Sequence, residues 1–153
     1  MTTEPDDTMI RIGRGIALAG QGERAAAMGW FTKLWDDIGP DGDPLHRCAV
    51  AHAMADVQDD PRAELACYLR ALEAVESLTD ERLGAAGVAG SARGFYPSLH
   101  LNLADVYRRL GNEDPARRHL ELGRATLDAL QDDGYRTMIR EALDRVEHKL
   151  GPP

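Results

Sequence analysis

Apolar residues recur at intervals of three and four along most of this chain, which is the spacing of one face of an α-helix. The clearest example contains Leu99, Leu103 and Val106, with polar side chains between them. Gly111 interrupts this series, and a second apolar series of the same period follows it. The stretch 99–123 therefore predicts two antiparallel helices joined by a tight turn.

Helices are also predicted before and after this stretch. Asp43–Pro44 and Asp60–Pro61 are typical helix starts, because aspartate caps free backbone N–H groups and proline suits the first turn. The last predicted helix has an apolar stripe and keeps most of its charged residues away from that stripe. We predict a polar tail followed by one domain of three helical units and a capping helix, at 1–8, 9–38, 43–78, 97–131 and 134–150.

The segment 79–96 allows two interpretations. Four glycines recur in it every three or four residues, with alanines between several of them. They suit either a flexible linker or a helix whose small-residue face packs closely against a neighbour. Thr79 followed by two acidic residues is a reasonable helix start, so we expect a helix or a kinked extension that Pro97 ends.

Small residues in the second helix of each unit carry a resemblance to a known family. They align at Ala27, Ala63 and Ala116, which are 36 and 53 residues apart. This spacing resembles the tetratricopeptide repeat, a helix–turn–helix unit of about 34 residues. The third unit fits best; the second fits better through Tyr68 and Ala71, one residue later. The longer second interval matches the segment 79–96.

The resemblance implies an all-α fold of antiparallel helix hairpins stacked into a right-handed superhelix. An irregular insert would interrupt the middle of this superhelix, and the capping helix would end it in water. In such proteins the first helix of each pair usually lines a concave groove. The resemblance therefore implies a protein-interaction scaffold that binds a peptide or a partner helix in that groove.

Helical geometry indicates which side chains would line the groove. The stripe away from the core is apolar on the first helix, at Gly13, Ile16 and Gly20. On the later helices it is polar, and we expect partner contacts there from His52, Asp56, Asn102, Asp105 and Arg109. This mixture of charges suits a basic or mixed-charge peptide. An equally simple explanation of these polar residues is that Asp56 and Arg109 pair with each other across adjacent helices.

The charge and cysteine content narrow the class of partner and the location. The chain has 153 residues, a net charge of −8 and no dense Lys/Arg tract. This argues against nucleic acid or an anionic membrane as the main partner. The N-terminus is unlike a signal peptide and no apolar run is long enough to span a membrane. We therefore expect a cytoplasmic protein whose two cysteines are reduced.

Few residues suggest a catalytic or metal-binding role. Cys48, His52 and Asp56 are all metal-ligand types spaced four residues apart, but one helix alone gives poor tetrahedral geometry, so a polar patch is the favoured interpretation. His46 and His100 face predicted cores and suit hydrogen-bonded core positions. No nucleotide-binding loop, nucleophile elbow or zinc-protease motif is present. We predict no enzyme activity, catalytic residue, metal or cofactor.

Two alternative functions remain open beside the scaffold. A regulatory domain would sense a small ligand or peptide through the same polar groove residues. A structural subunit would assemble with further copies of itself, as a homo-oligomer. Trp30 and Trp35 separate these alternatives, because an exposed tryptophan would indicate an assembly surface and a packed one would not.

Overall fold

The computed structural model describes residues 6–153, and within them it contains eight α-helices, two short 3₁₀ helices and no β-strand. The all-α class is thus confirmed. The chain divides into two compact units, Met1–Ser77 (unit 1) and Leu78–Pro153 (unit 2). The α-helices are α1 (Asp7–Gly20), α2 (Arg24–Ile38), α3 (Pro44–Asp56), α4 (Pro61–Glu76), α5 (Asp80–Ala85), α6 (Tyr96–Arg109), α7 (Glu113–Ala125) and α8 (Gly134–Leu150).

The predicted helix starts coincide with side-chain caps. Asp43 accepts a hydrogen bond from the Leu45 backbone N–H, and Asp60 accepts one from that of Arg62. Both satisfy N–H groups that have no partner inside the helix. Helix α1 begins two residues before the predicted start at 9, because Asp6 caps it. Residues 1–5 of the predicted tail lie outside the described residues.

Unit 1 is built from two helix hairpins in sequence. Helix α1 packs against α2 and α3, α2 also packs against α3, and α3 packs against α4. Gly15 allows the closest of these approaches, since a Cβ there would lie 2.4 Å from the Phe31 ring. The apolar core contains Ile12, Phe31, Leu34, Val50 and Ala71, all nearly or fully buried.

The N-terminal ends of α1 and α3 lie side by side. The His46 ring nitrogen Nε2 and Asp6 Oδ2 are 2.7 Å apart, and these residues belong to the first turn of α3 and the cap of α1. At the other end, Arg24 follows the α1–α2 turn and donates to the backbone oxygen of Asp56, at 3.3 Å. Helices α1 and α3 therefore run in the same direction. His46 is hydrogen-bonded, as the sequence predicted, but it is half-buried and does not belong to the core.

Unit 2 contains the hairpin α6–α7 and the capping helix α8, which packs against both. The turn between α6 and α7 needs Gly111, whose φ of +81° is strained for other residues. Gly123 lets α7 approach its neighbours, because a Cβ there would lie 3.0 Å from the Leu143 side chain. The core beneath α8 includes Ala104, Leu120, Leu127, Ile139, Leu143 and Val146.

The segment 79–96 is helical only at its ends. Thr79 caps α5, as expected, but this helix ends after six residues. Gly87 and Gly90 then have φ values of +74° and +94°, which an α-helix does not accommodate. A 3₁₀ helix at Ala92–Phe95 leads directly into α6. The expected helix is therefore confirmed only at Asp80–Ala85, and it does not extend to Pro97, which lies in the first turn of α6.

The positions that carried the family resemblance are packed in the core. Ala27 and Ala116 have no exposed surface, and Phe31 and Leu120 are buried four residues after them. In the second unit Ala63 is half-exposed, and Cys67, Tyr68 and Ala71 are all buried, so burial does not distinguish the two registers there. Among the described helices, none combines the length and apolar character needed to cross a lipid bilayer.

Candidate functional site

His52 and Asp56 lie one turn apart on α3, and both reach solvent. The His52 Nδ1 and Asp56 Oδ2 atoms are 4.0 Å apart, and the side chains are 38% and 61% exposed. Tyr68 from α4 supports both residues. Its hydroxyl donates to Asp56 Oδ1 at 3.3 Å, and its ring meets the His52 ring edge-on at a centroid distance of 5.9 Å. Since a carboxylate offers about four lone pairs, Asp56 retains acceptor sites that face solvent.

The outward face of α1 is apolar. Ile10 and Ile16 are 45% and 54% exposed, although Ile12 of the same helix is buried in the core. A Cβ on Gly13 or Gly20 would meet nothing within 4 Å. A helix that faces water on one side normally carries polar residues there. We define the α1–α3 surface as these exposed residues of α1 together with the two polar residues of α3: Ile10, Gly13, Ile16, Gly20, His52 and Asp56.

The polar stripe of α6 in unit 2 is largely engaged in an internal ion cluster. Asp105 accepts from Arg108 Nη2 at 2.8 Å and from Arg109 Nε at 3.0 Å. Burial raises the pKa of Asp105, but the hydrogen bonds and charges of these two arginines outweigh it, so the pKa lies below its ordinary value. Asn102 lies one turn earlier on α6 and is half-buried. Within this stripe the charges of Asp105 and Arg109 cancel.

A histidine pair joins α6 to α7 in unit 2. His100 is 6% exposed, and its Nδ1 lies 3.0 Å from Nδ1 of His119. One Nδ1–H therefore donates to the other Nδ1, so the two neutral rings adopt different tautomers. Tyr96 stacks near His100 and Tyr107 near His119, with ring centroids 5.7 and 5.5 Å apart.

This pair lies in surroundings that disfavour positive charge. Burial, together with the nearby charge of the other histidine, lowers the pKa of His100 to about 4. Burial and the neighbouring Arg118 also lower the pKa of His119. The core position of His100 is confirmed, but sequence reasoning missed His119. It follows two arginines in a polar stretch, and only the packing of α6 against α7 brings it to His100.

The three metal-ligand types on α3 do not converge. Cys48 is buried, and this burial raises its pKa to about 12, so the thiol keeps its proton. His52 and Asp56 face solvent instead, because each four-residue step turns the side chain by about 40° around the helix. Among residues 6–153 no group of three or more histidine, cysteine, aspartate or glutamate side chains could hold a metal ion.

Both tryptophans are packed within unit 1. Trp30 donates its indole N–H to the Arg11 backbone oxygen of α1 at 2.6 Å, inside its own hairpin. Trp35 instead turns toward the next hairpin, where the guanidinium carbons of Arg47 and Arg70 lie 4.4 and 5.3 Å from its ring centroid. This is the arrangement predicted for a packed pair, so neither tryptophan marks an exposed assembly surface.

Comparison of the chain with protein-family models, with curated proteins and with solved structures finds no match. The tetratricopeptide resemblance therefore rests only on residues of this chain, and it stays a prediction. The surfaces described above are the basis for assigning a function.

Proposed function

We propose that this chain is a protein-interaction scaffold and that the α1–α3 surface of unit 1 holds a peptide or a partner helix. The observation that carries the proposal is the apolar outward face of α1, with Ile10 and Ile16 about half exposed. Covering both side chains removes apolar area from water, which is the main favourable contribution in protein association. His52 and Asp56 beside them supply hydrogen-bonding groups that orient a ligand.

The order of helix contacts supports the same proposal. In unit 1 the first helices of successive hairpins, α1 and α3, touch each other, and α2 packs between the hairpins. Tetratricopeptide-like stacking predicts this order and places the binding face on the first helices. In unit 2, α8 contacts α6 and α7 as a further first helix would. We therefore propose tetratricopeptide-like hairpins, with Asn102, Asp105 and Arg109 as a second and more polar contact stripe.

The scaffold is favoured over the two alternatives. An exposed tryptophan would have indicated a self-assembly surface, but Trp30 and Trp35 are both packed within unit 1. A scaffold also needs no catalytic residue or cofactor. A sensing domain would bind a small ligand in a concave pocket, whereas the half-exposed Ile10 and Ile16 of α1 suit the broad contact of a protein partner.

Affinity capture from the native cell lysate tests the proposal with two matched variants. Ile16→Asn places a polar group at the centre of the α1–α3 surface, and Leu69→Asn makes the same change at an exposed leucine of α4. We expect a partner that is retained by the wild type and by Leu69→Asn but lost by Ile16→Asn. Because both sites are exposed, helicity and tryptophan emission should stay unchanged. Equal capture of the partner by the two variants would show that the α1–α3 surface is not the binding site.

The second stripe has its own test. Replacing Asn102 and Arg109 together by alanine should weaken capture of the same partner while leaving helicity and thermal unfolding unchanged. A variant that captures the partner as strongly as wild type would assign binding to unit 1 alone. Light scattering across a concentration series tests the assembly alternative, which predicts a mass that rises with concentration.

A further inference from the structure

The net charge of this protein is concentrated in the unit that carries the α1–α3 surface. Unit 1 contains fourteen acidic and seven basic side chains, whereas unit 2 contains twelve acidic and eleven basic ones. Unit 1 thus carries seven of the eight net negative charges of the chain. Association is steered by such an imbalance, because a partner of opposite sign is attracted and one of like sign is repelled.

The charges next to the surface are more often negative than positive. Asp7 is exposed in the first turn of α1, and Asp56 is 61% exposed at the last turn of α3. Since α1 and α3 run in the same direction, these carboxylates lie toward opposite ends of the α1–α3 surface. Arg14 lies on the outward side of α1, and Arg24 lies beside Asp56 and pairs with Asp59 at 3.0 Å. Three carboxylates, of Asp7, Asp56 and Asp59, thus surround the surface together with two guanidinium groups.

The backbone chemistry of α1 selects the shape of the partner. Beside Arg14, which carries donors only, the outward residues Ile10, Gly13, Ile16 and Gly20 offer no side-chain donor or acceptor. An extended peptide laid on them would leave its own N–H and C=O groups without partners on that side. An α-helix satisfies these groups internally and presents only side chains. The gaps at Gly13 and Gly20, where a Cβ would meet nothing within 4 Å, leave room for side chains of such a helix.

We propose that the partner of the α1–α3 surface is an amphipathic helix whose apolar stripe covers Ile10 and Ile16 and whose polar flanks are rich in lysine and arginine. This inference rests on the proposed function and adds the chemical class of the partner. The basic flanks lie near Asp7 and Asp56. A second copy of this chain fits the surface less well, because it would bring together two units that each carry seven net negative charges.

Three synthetic peptides of about 18 residues test the proposal on the full chain. The first is an amphipathic leucine–lysine helix, and the second has glutamate in place of lysine. The third has the composition of the first in an order that destroys the apolar stripe. Fluorescence anisotropy of the labelled peptides gives Kd at low and at physiological salt. We expect the first peptide to bind at least tenfold more tightly than the other two.

Four forms of the protein locate the binding. Ile16→Asn should weaken binding of the basic helix by tenfold or more, because Ile16 lies at the centre of the covered area. Asp56→Asn should weaken it severalfold and reduce the dependence on salt, because one attractive charge is lost. Wild type and Leu69→Asn should bind equally. Unchanged tryptophan emission confirms that unit 1 of each variant is folded, since both tryptophans lie in it.

The outcomes separate the charge of the partner from the function of the surface. Equal affinity for the glutamate and lysine helices, with both dependent on Ile16, would overturn the basic partner and leave the docking surface standing. If the binding of no peptide depended on Ile16 while capture from the lysate still did, the partner would not be a basic helix. The proposed scaffold function would then still hold. If capture were also independent of Ile16, the proposed function itself would fall.

Discussion

The buried His100–His119 pair predicts that unit 2 loses stability in mild acid. The pKa of His100 is lowered from 6.5 to about 4 in the folded protein, first by burial and then by the nearby charge of His119. Between these two values the unfolded chain binds a proton that the folded chain does not. The free energy of unfolding is therefore fully retained above about pH 6.5, and it decreases as the pH falls toward about 4.

The size of this loss follows from the two values. Each pH unit in which only the unfolded chain is protonated costs about 1.4 kcal/mol. Between pH 7.5 and pH 5 the His100 ring alone therefore removes about 2 kcal/mol, and at pH 4 about 3 kcal/mol. The lowered pKa of His119 acts in the same direction. A loss of this size is a large part of the stability of a typical domain, about 5–15 kcal/mol.

The distribution of tryptophans allows unit 2 to be followed separately. Both tryptophans belong to unit 1, so their emission reports unfolding of that unit, whereas far-UV circular dichroism reports the helices of both. Urea unfolding at pH 7.5 and at pH 5 should show a part of the dichroism signal that shifts to lower urea without a matching change in emission. The NMR titration of the His100 ring should give a midpoint far below 6.5.

Two variants complete the test. Replacing His100 and His119 together by glutamine keeps hydrogen-bonding groups but removes both titrating rings, so the shift between pH 7.5 and pH 5 should largely disappear. His148→Gln is the matched control, because His148 is exposed on α8 of the same unit, and it should leave the shift intact. Equal stability of wild-type unit 2 at the two pH values would refute the reasoning, as would an unchanged shift in the double variant.

Five substitutions make further predictions about packing and helix capping. Gly15→Ala should destabilise unit 1 by about 1–3 kcal/mol, because the new Cβ would lie 2.4 Å from the Phe31 ring. Gly13→Ala on the same helix should stabilise unit 1 by up to about 1 kcal/mol, because its Cβ would meet nothing within 4 Å. Urea unfolding followed by tryptophan emission compares the two variants. Leu143→Ala should cost unit 2 about 2–5 kcal/mol, measured by circular dichroism, and a loss below 1 kcal/mol would contradict its buried position. Asp60→Ala should cost about 1 kcal/mol by removing the cap of α4, and Asp60→Asn, which keeps the cap, should retain most of it.

The helices were predictable because their limits are marked by local chemistry. Asp43 and Asp60 cap the helices they were expected to cap, and Gly111 makes the turn between α6 and α7. The segment 79–96 was harder, because glycine suits both a close helix contact and a left-handed turn, and the sequence does not distinguish them. Only the backbone shows that Gly87 and Gly90 have positive φ values, which ended the helix after six residues.

The candidate site shows what helix periodicity can and cannot predict. Periodicity placed Asp56 on the solvent-facing stripe of α3 and Asp105 on that of α6, and both have carboxylates that are at least one-third exposed. Their availability to a ligand depends on their neighbours. Asp105 is held by two arginines of its own helix, whereas the hydroxyl of Tyr68, which carries no charge, donates to Asp56. We therefore propose that, of the predicted groove residues, Asp56 contributes more than Asp105 to binding a cationic partner.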